Sequence, residues 1–118
     1  MWPDLERVSI YLRPGMTDMR KQINGLADLA SRHGQGNPSD GSLYLYCGRR
    51  GTMVKALYWD KNGFCLWTKR VEKSRFPWPK ADDDQGSPFV LDKRDLDFIL
   101  QGIDIRTRFK ALKFSQIA

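Results

Sequence analysis

Seven basic side chains between Arg49 and Arg75 are predicted to gather at one end of a β-hairpin. The sequence Asp60-Lys61-Asn62-Gly63 predicts the tight turn of that hairpin, because Asn-Gly tolerates the positive φ values such turns need. A two-residue Asn62-Gly63 turn places Lys55 opposite Arg70, and a three-residue turn places it opposite Lys69. In either register the basic side chains crowd the end away from the turn: Arg49, Arg50, Lys55, Lys69, Arg70, Lys73 and Arg75.

A cluster of cations on facing strands points to an anionic ligand. Like charges opposed across strands destabilise a sheet, and a phosphate backbone would offset that repulsion with a salt-dependent gain in free energy. Arginine suits phosphate because its planar guanidinium donates two parallel hydrogen bonds. These seven residues are therefore the candidate DNA contacts, with Arg20 and Lys21 near the start of the first predicted helix as a second group.

The same stretch is rich in aromatic rings. Most of these rings are expected to form the core, since this is the most apolar part of the chain. The others could stack on bases or fill a pocket of a partner protein. The sequence leaves open which ring does which, and the candidates for a partner-binding surface are Trp59, Trp67, Phe76 and Trp78.

Residues that could support catalysis or bind a metal are sparse. His33 is the single histidine and lies in a Gly-rich stretch, which makes a catalytic zinc site or a Ser-His-Asp triad improbable. Cys47 and Cys65 match no zinc-binding spacing and are expected to be buried free thiols. The acidic run 82–84 is expected to be a solvated loop. We therefore predict no catalytic residue, metal or cofactor.

The overall composition is that of a basic, globular protein. The 118 residues fit a single domain, 1–118, in which the basic tail of about 106–118 is expected to be flexible. Lys and Arg number 20 against 14 Asp and Glu, a net charge of +6 that favours nucleic acid as a partner. No stretch is apolar enough to cross a membrane, and reduced thiols indicate the cytoplasm.

Hydrophobic periodicity predicts an α+β fold. Residues 7–13 read as a first strand, and a helix follows from Thr17 to about Arg32. A three-stranded antiparallel meander is expected from 43–47, 53–59 and 64–71. A second helix should begin at Asp92, a good N-cap, and end near Gln101. The expected architecture is a small antiparallel sheet, the meander plus the N-terminal strand, packed with two helices.

The order and spacing of many residues resemble those of one known family, the TnpB accessory proteins of bacterial insertion sequences of the sixty-six type. The similarity spans roughly Val8 to Arg106, and at Ile105 this chain departs from the tryptophan that the family tends to have. The residues that carry it are Thr17-Asp18-Met19-Arg20-Lys21, Gly25-Leu26, Gly48-Arg49-Arg50-Gly51, Lys55, Tyr58-Trp59-Asp60, Gly63-Phe64-Cys65-Leu66-Trp67, Lys69-Arg70, Arg75-Phe76, Trp78-Pro79 and Gly102-Ile103-Asp104.

The resemblance implies a bacterial mobile-element protein that is encoded beside a separate, larger transposase. That transposase carries the catalytic acids, which agrees with a non-catalytic role for this chain. The leading hypothesis is an accessory factor that binds DNA and helps the transposase assemble on element ends. The alternative is an adaptor that docks onto the transposase, or onto another copy of itself, through an aromatic surface and without direct DNA contact. The RNA-guided nucleases also called TnpB are far longer and carry nuclease and zinc residues that this chain lacks.

Overall fold

The computed structural model describes residues 2–33, 38–81 and 88–108. Two α-helices and five strands are present in these ranges, with a short 3-10 turn at Pro38–Asp40. The helices are α1 (Ile23–His33) and α2 (Lys93–Leu100). The strands are β1 (Ile10–Leu12), β2 (Leu43–Cys47), β3 (Met53–Asp60), β4 (Gly63–Arg70) and β5 (Phe89–Leu91).

The five strands form one mixed sheet in the order β4-β3-β2-β1-β5. The α+β class is confirmed, but the prediction of a purely antiparallel sheet is wrong. Strand β1 pairs in parallel with β2, with Tyr11 opposite Tyr44. The helix α1 lies between these two strands in the chain, and such a crossover makes parallel pairing possible. The other pairings are antiparallel, including that of β1 with β5, a strand that the hydrophobic periodicity does not predict.

Each face of the sheet carries its own core. On one face, Leu12, Leu45 and Tyr58 pack with Leu96 and Ile99 of α2. On the opposite face, the β2 and β3 side chains pack against Leu26 and Ala30 of α1. All five residues of β2 are buried, because this central strand is covered on both faces. That explains why the sequence of β2 is a continuous apolar and aromatic run rather than an alternating one.

Helix α1 begins six residues later than predicted, at Ile23 rather than Thr17. Thr17 is buried, and its backbone N–H donates to the carbonyl of Cys47 at 2.8 Å. The segment after Thr17 is thereby tied to the end of β2. A tertiary hydrogen bond to the backbone has overridden the local N-cap signal, as such contacts often do.

The β3–β4 hairpin is present, but both predicted registers are wrong. Asp60 pairs with Gly63, so the turn consists of Lys61 and Asn62 instead of Asn62 and Gly63. Lys61 takes up the left-handed conformation, with φ 55°. Lys55 consequently lies opposite Thr68. The observed register differs by one residue from that of the three-residue turn, in which Lys55 and Lys69 would share a face. Because a shift of one residue changes the face, these two lysines lie on opposite faces of the sheet.

The second helix confirms its predicted cap. The Asp92 side chain accepts from the Asp95 backbone N–H at 2.8 Å, and the Asp95 side chain accepts from the Asp92 N–H at 3.1 Å. This reciprocal arrangement satisfies two of the N–H groups that a helix start leaves without partners. Asp95 is itself buried and forms an ion pair with Arg108. Ile105 is buried in the α2-side core.

Within the described ranges, none of the helices has the length and apolar character needed to cross a membrane.

Candidate nucleic-acid interface

A groove of about 500 Å³ opens at the end of the sheet where β2 turns into β3. One wall is that turn, Gly48–Gly51, and the opposite wall is the extended segment 75–80. Apolar side chains, including Met16, Phe76 and Trp78, line part of it. Its polar lining is basic: Arg49, Arg50, Arg75, Lys80 and Arg106.

The β2–β3 turn presents two of these arginines to solvent. The Gly51 N–H donates to the Gly48 carbonyl at 3.0 Å, which closes a four-residue turn with Arg49 and Arg50 at its centre. Gly51 then takes φ 71°, the left-handed conformation that glycine adopts without steric cost. A side chain on Gly48 would collide with Met19, since its Cβ would lie 2.5 Å from the Met19 Cγ. Arg49 and Arg50 are both exposed.

Three hydrogen bonds hold the opposite wall in place. The Phe76 N–H donates to the Gly51 carbonyl at 2.7 Å, and the Gly15 N–H donates to the Pro79 carbonyl at 2.8 Å. Between them, the indole N–H of Trp78 donates to the Arg13 carbonyl at 2.8 Å. Both ends of the segment and its largest side chain are therefore anchored, to the β2–β3 turn and to the residues that follow β1, and the groove has a defined shape.

Among the described residues, the charged lining of the groove is basic. None of the described residues that line it is acidic. Arg106 is bound by Asp104, which lies outside the lining and accepts from the guanidinium at 2.8 Å. That guanidinium lowers the pKa of Asp104 to about 2, which keeps the carboxylate ionised at neutral pH. The other four lining cations form no ion pair with any described residue: Arg49, Arg50, Arg75 and Lys80.

Lys55 is not part of this groove. It is only 4% exposed and extends from β3 toward the loop that precedes α1. Its ammonium donates to the carbonyls of Met19 at 2.8 Å and Lys21 at 2.9 Å. Two backbone carbonyls that face the protein interior are satisfied in this way. Lys55 therefore anchors the start of α1, and we leave it out of the proposed interface.

Lys69 lies on the other face of the sheet, next to α2. It pairs with Val54, whereas Lys55 pairs with Thr68, so the two lysines point in opposite directions. The Lys69 ammonium donates to the carbonyl of Leu100, the last residue of α2, at 2.9 Å. A cation is favourable there because it faces the negative end of the helix dipole. Both strand lysines thus bind backbone carbonyls.

The remaining predicted contacts are exposed except for Lys21, and most of them lie outside the groove. Arg70 forms an ion pair with Glu72 at 3.4 Å, and Lys73 is exposed without lining the groove. Arg20 is bound by Asp18 at 2.8 Å, whose pKa that hydrogen bond lowers to about 2. Lys21 is half-buried, and its side chain packs over Gly25. Of the nine candidates, only Arg49, Arg50 and Arg75 line the groove.

The aromatic candidates are divided between core and surface. Phe76 is 4% exposed and packs with Cys47 and Val54, so it is a core residue. Trp67 is half-buried against the Trp2 ring, with centroids 5.1 Å apart. Trp59 packs edge-on against Phe64 and lines a second cleft, of about 310 Å³, at the far end of β3. Of the four, Phe76 and Trp78 line the basic groove, and Trp78 is the more exposed of the two.

Two groove cations were absent from the sequence-based set. Lys80 directly follows the Phe76-Pro77-Trp78-Pro79 segment, so its place beside the aromatic block was a usable signal. Arg106 lies more than 25 residues further along the chain and had no local signal. It reaches the groove only because the fold returns the chain there after α2. The predicted tail beyond residue 108, including Lys110 and Lys113, lies outside the described residues, as does the acidic run 82–84.

Within the described ranges, neither the two thiols nor the acidic side chains form a metal-binding site. Cys47 and Cys65 are both free, as predicted, although Cys65 is only half-buried. Burial raises the pKa of the Cys47 thiol to about 11, which keeps it protonated. Within 2–33, 38–81 and 88–108, three or more His, Cys, Asp or Glu side chains do not come together as metal ligands would.

The fold and groove define a small α+β protein with a basic surface cleft, and sequence comparison gives its family. Residues 8–110 match the family described as IS66 Orf2 like protein, and the chain belongs to that family. It is 36% identical over 106 residues to the uncharacterized protein y4hO of Sinorhizobium fredii (strain NBRC 101917 / NGR234), with 90% of each chain covered. A second relative from that strain, the uncharacterized protein y4jC, is 25% identical over 108 residues, 91% of this chain and 88% of the relative. No solved structure matches.

Membership in this family implies an accessory role in the transposition of an insertion sequence. The resemblance noted from the sequence alone is thereby confirmed, over nearly the same range of residues. An accessory protein assists a separate enzyme that carries out the catalytic steps. That role suggests a non-enzymatic protein.

Proposed function

We propose that this chain binds DNA through the basic groove and thereby assists a separate transposase, without catalysing any step itself. The observation that carries the proposal is the groove lining, in which exposed Arg49 and Arg50 face Arg75 with no described acidic residue among them. We place this activity in the cytoplasm, where the free thiols of Cys47 and Cys65 would stay reduced.

The chemistry expected of the groove is phosphate binding. Arginine side chains donate paired hydrogen bonds to phosphate oxygens, and each neutralised phosphate releases condensed counterions. Such contacts fix the position of a protein on DNA but read no sequence. We therefore expect this chain to bind element-end and random DNA with similar affinity. Recognition of the element ends would then belong to the transposase.

The test is a titration of element-end and random DNA across a salt series. Arg49→Gln together with Arg50→Gln should lower the affinity at least ~10-fold at low salt and reduce the salt slope by about two. The matched control is Arg7→Gln with Lys61→Gln. It removes the same net charge near Asp4 and the β3–β4 turn, at the other end of β3. The control should keep most of the wild-type affinity.

Two outcomes would overturn the proposal. If the wild-type protein shows negligible affinity and no salt slope, the groove does not bind DNA. If the control pair weakens binding as much as the arginine pair, net charge rather than the groove drives the association. The absence of catalysis is tested by incubating the purified protein with supercoiled and linear DNA and Mg²⁺ or Mn²⁺. DNA cleavage that co-purifies with the protein would contradict the proposal.

A second function, docking onto the transposase, is supported by the cleft at the far end of β3. Rings of Trp2, Tyr58 and Trp59 line that cleft together with the carboxylates of Asp4 and Asp60. Half-buried tryptophans beside polar groups are frequent anchors of protein interfaces. Trp59→Ala should weaken co-purification with the transposase from nuclease-treated, high-salt lysate if this surface docks. A sedimentation experiment on the purified chain tests docking onto another copy of itself.

A further inference from the structure

The shape of the basic groove differs from that of protein surfaces that read double-stranded DNA. Duplex readers insert a helix or a two-stranded ribbon into the major groove, which is about 12 Å wide. Here the cations line a concave cleft of about 500 Å³ instead of a protruding element. Clefts of roughly 300–1,000 Å³ typically enclose a molecule of drug-like size, which is comparable to one or two nucleotides.

Trp78 gives this cleft a fixed aromatic surface. Its half-buried side chain packs against two of the core clusters and also lines the groove. The indole N–H is held by the Arg13 carbonyl at 2.8 Å, which fixes the orientation of the ring. Pro77 and Pro79 flank it, and proline restricts the backbone on both sides. The ring is therefore held in place before any ligand binds.

Arginines stand on the opposite wall, at the β2–β3 turn. Arg49 and Arg50 are exposed there, and Arg75 leads into the Trp78 segment with its stem close to Gly51. A ring and several cations around one cleft match what a single strand needs. Its unpaired bases offer flat faces for stacking, and its phosphates offer negative charge. A duplex hides its base faces within the stack and could use only the cations.

We infer that the groove binds single-stranded DNA, with one base stacked on Trp78 and the adjoining phosphates bound by Arg49, Arg50 and Arg75. This inference rests on the proposed function, because it specifies the form of DNA that the same groove takes. It assigns to Trp78 a binding role that duplex association would not require.

The test compares Trp78→Leu with Trp78→Phe. Both variants lose the indole N–H bond to Arg13, so they share its structural cost, and only the phenylalanine keeps an aromatic ring. Affinities are measured for a short oligonucleotide as a single strand, as a duplex and as an RNA of the same sequence. Trp78→Leu should lose about 10-fold in affinity for the single strand, while Trp78→Phe stays within about 3-fold of wild type. Neither should change duplex affinity.

A second readout reports stacking directly. A 2-aminopurine base in the single strand should be quenched by the wild type and by Trp78→Phe, but not by Trp78→Leu. Equal losses in both variants, or no quenching by wild type, would overturn the stacking assignment. Tighter binding of the duplex than of the single strand would overturn the single-strand assignment while leaving DNA binding intact. A preference for the RNA would overturn the assignment of DNA. Absence of binding to every oligonucleotide would remove the proposed function itself.

Discussion

The turn at Gly48–Gly51 and the two strands that follow it both carry basic side chains, but those side chains differ in exposure and in hydrogen bonding. Arg49 and Arg50 on the turn are exposed and line a groove. Lys55 and Lys69 on the strands donate instead to backbone carbonyls, in the loop that precedes α1 and at the end of α2 respectively. In a strand, alternate side chains point into the layers that cover the sheet. A lysine there can satisfy carbonyls that would otherwise lack a partner, whereas a cation on an exposed turn remains available for a ligand.

The largest expected effect is the loss of the Lys55 ammonium. Lys55→Met keeps the aliphatic stem but leaves the carbonyls of Met19 and Lys21 without their donor. We expect the free energy of unfolding to fall by about 2 kcal/mol, measured by urea denaturation. DNA affinity of the folded protein should not change. If the variant keeps its stability but loses DNA binding, Lys55 contacts the DNA and does not stabilise the fold.

The second prediction concerns the glycine that shapes the arginine turn. Gly51 has φ 71°, and a Cβ at this position would meet nothing closer than 3.5 Å. Gly51→Ala should therefore cost about 1.5 kcal/mol through backbone strain alone. Gly63→Ala is the control. A Cβ there would meet nothing within 4 Å and the backbone is not left-handed, so thermal unfolding should be nearly unchanged. Equal effects of the two changes would contradict this account of the turn.

A smaller loss of stability is expected from Lys69→Met. This lysine is half-buried and makes one hydrogen bond, to Leu100 at 2.9 Å. We expect a loss of about 1 kcal/mol, less than for Lys55, because water can partly replace the donor at this helix end. The two lysine variants should be compared in one denaturation series with the DNA titration beside it. A larger effect on DNA affinity than on stability would show that Lys69 contributes to DNA binding.

The smallest effect should be a gain. Asp104 binds Arg106 at the edge of the groove and neutralises one of its five lining cations. Asp104→Asn should free that guanidinium for phosphate and raise DNA affinity about 2-fold to 5-fold, with a steeper salt dependence. Asp28→Asn is the matched control, because it breaks the exposed ion pair with Arg32 in α1 and removes the same charge. The control should give a smaller change.

Much of the architecture could be read from local patterns. The meander, the two helices and the cap at Asp92 follow from periodicity and turn chemistry, which are set by neighbouring residues. Strand β5 and the parallel pairing of β1 could not be read in this way. They depend on contacts between segments far apart in the chain, and three-residue strands carry too little periodic signal of their own.

The sequence by itself determined the family, the excess of positive charge and the presence of arginines at the β2–β3 turn. Only the tertiary structure decided which cations remain free. Register places Lys55 and Lys69 on opposite faces of the sheet. Lys55 there donates to carbonyls of the loop that precedes α1, and Lys69 donates to the last carbonyl of α2. The fold also carried Lys80 and Arg106 to the same groove as Arg49 and Arg50. Residue type fixes a charge, but burial and hydrogen bonding decide whether that charge can meet a ligand, and both are properties of the packed chain.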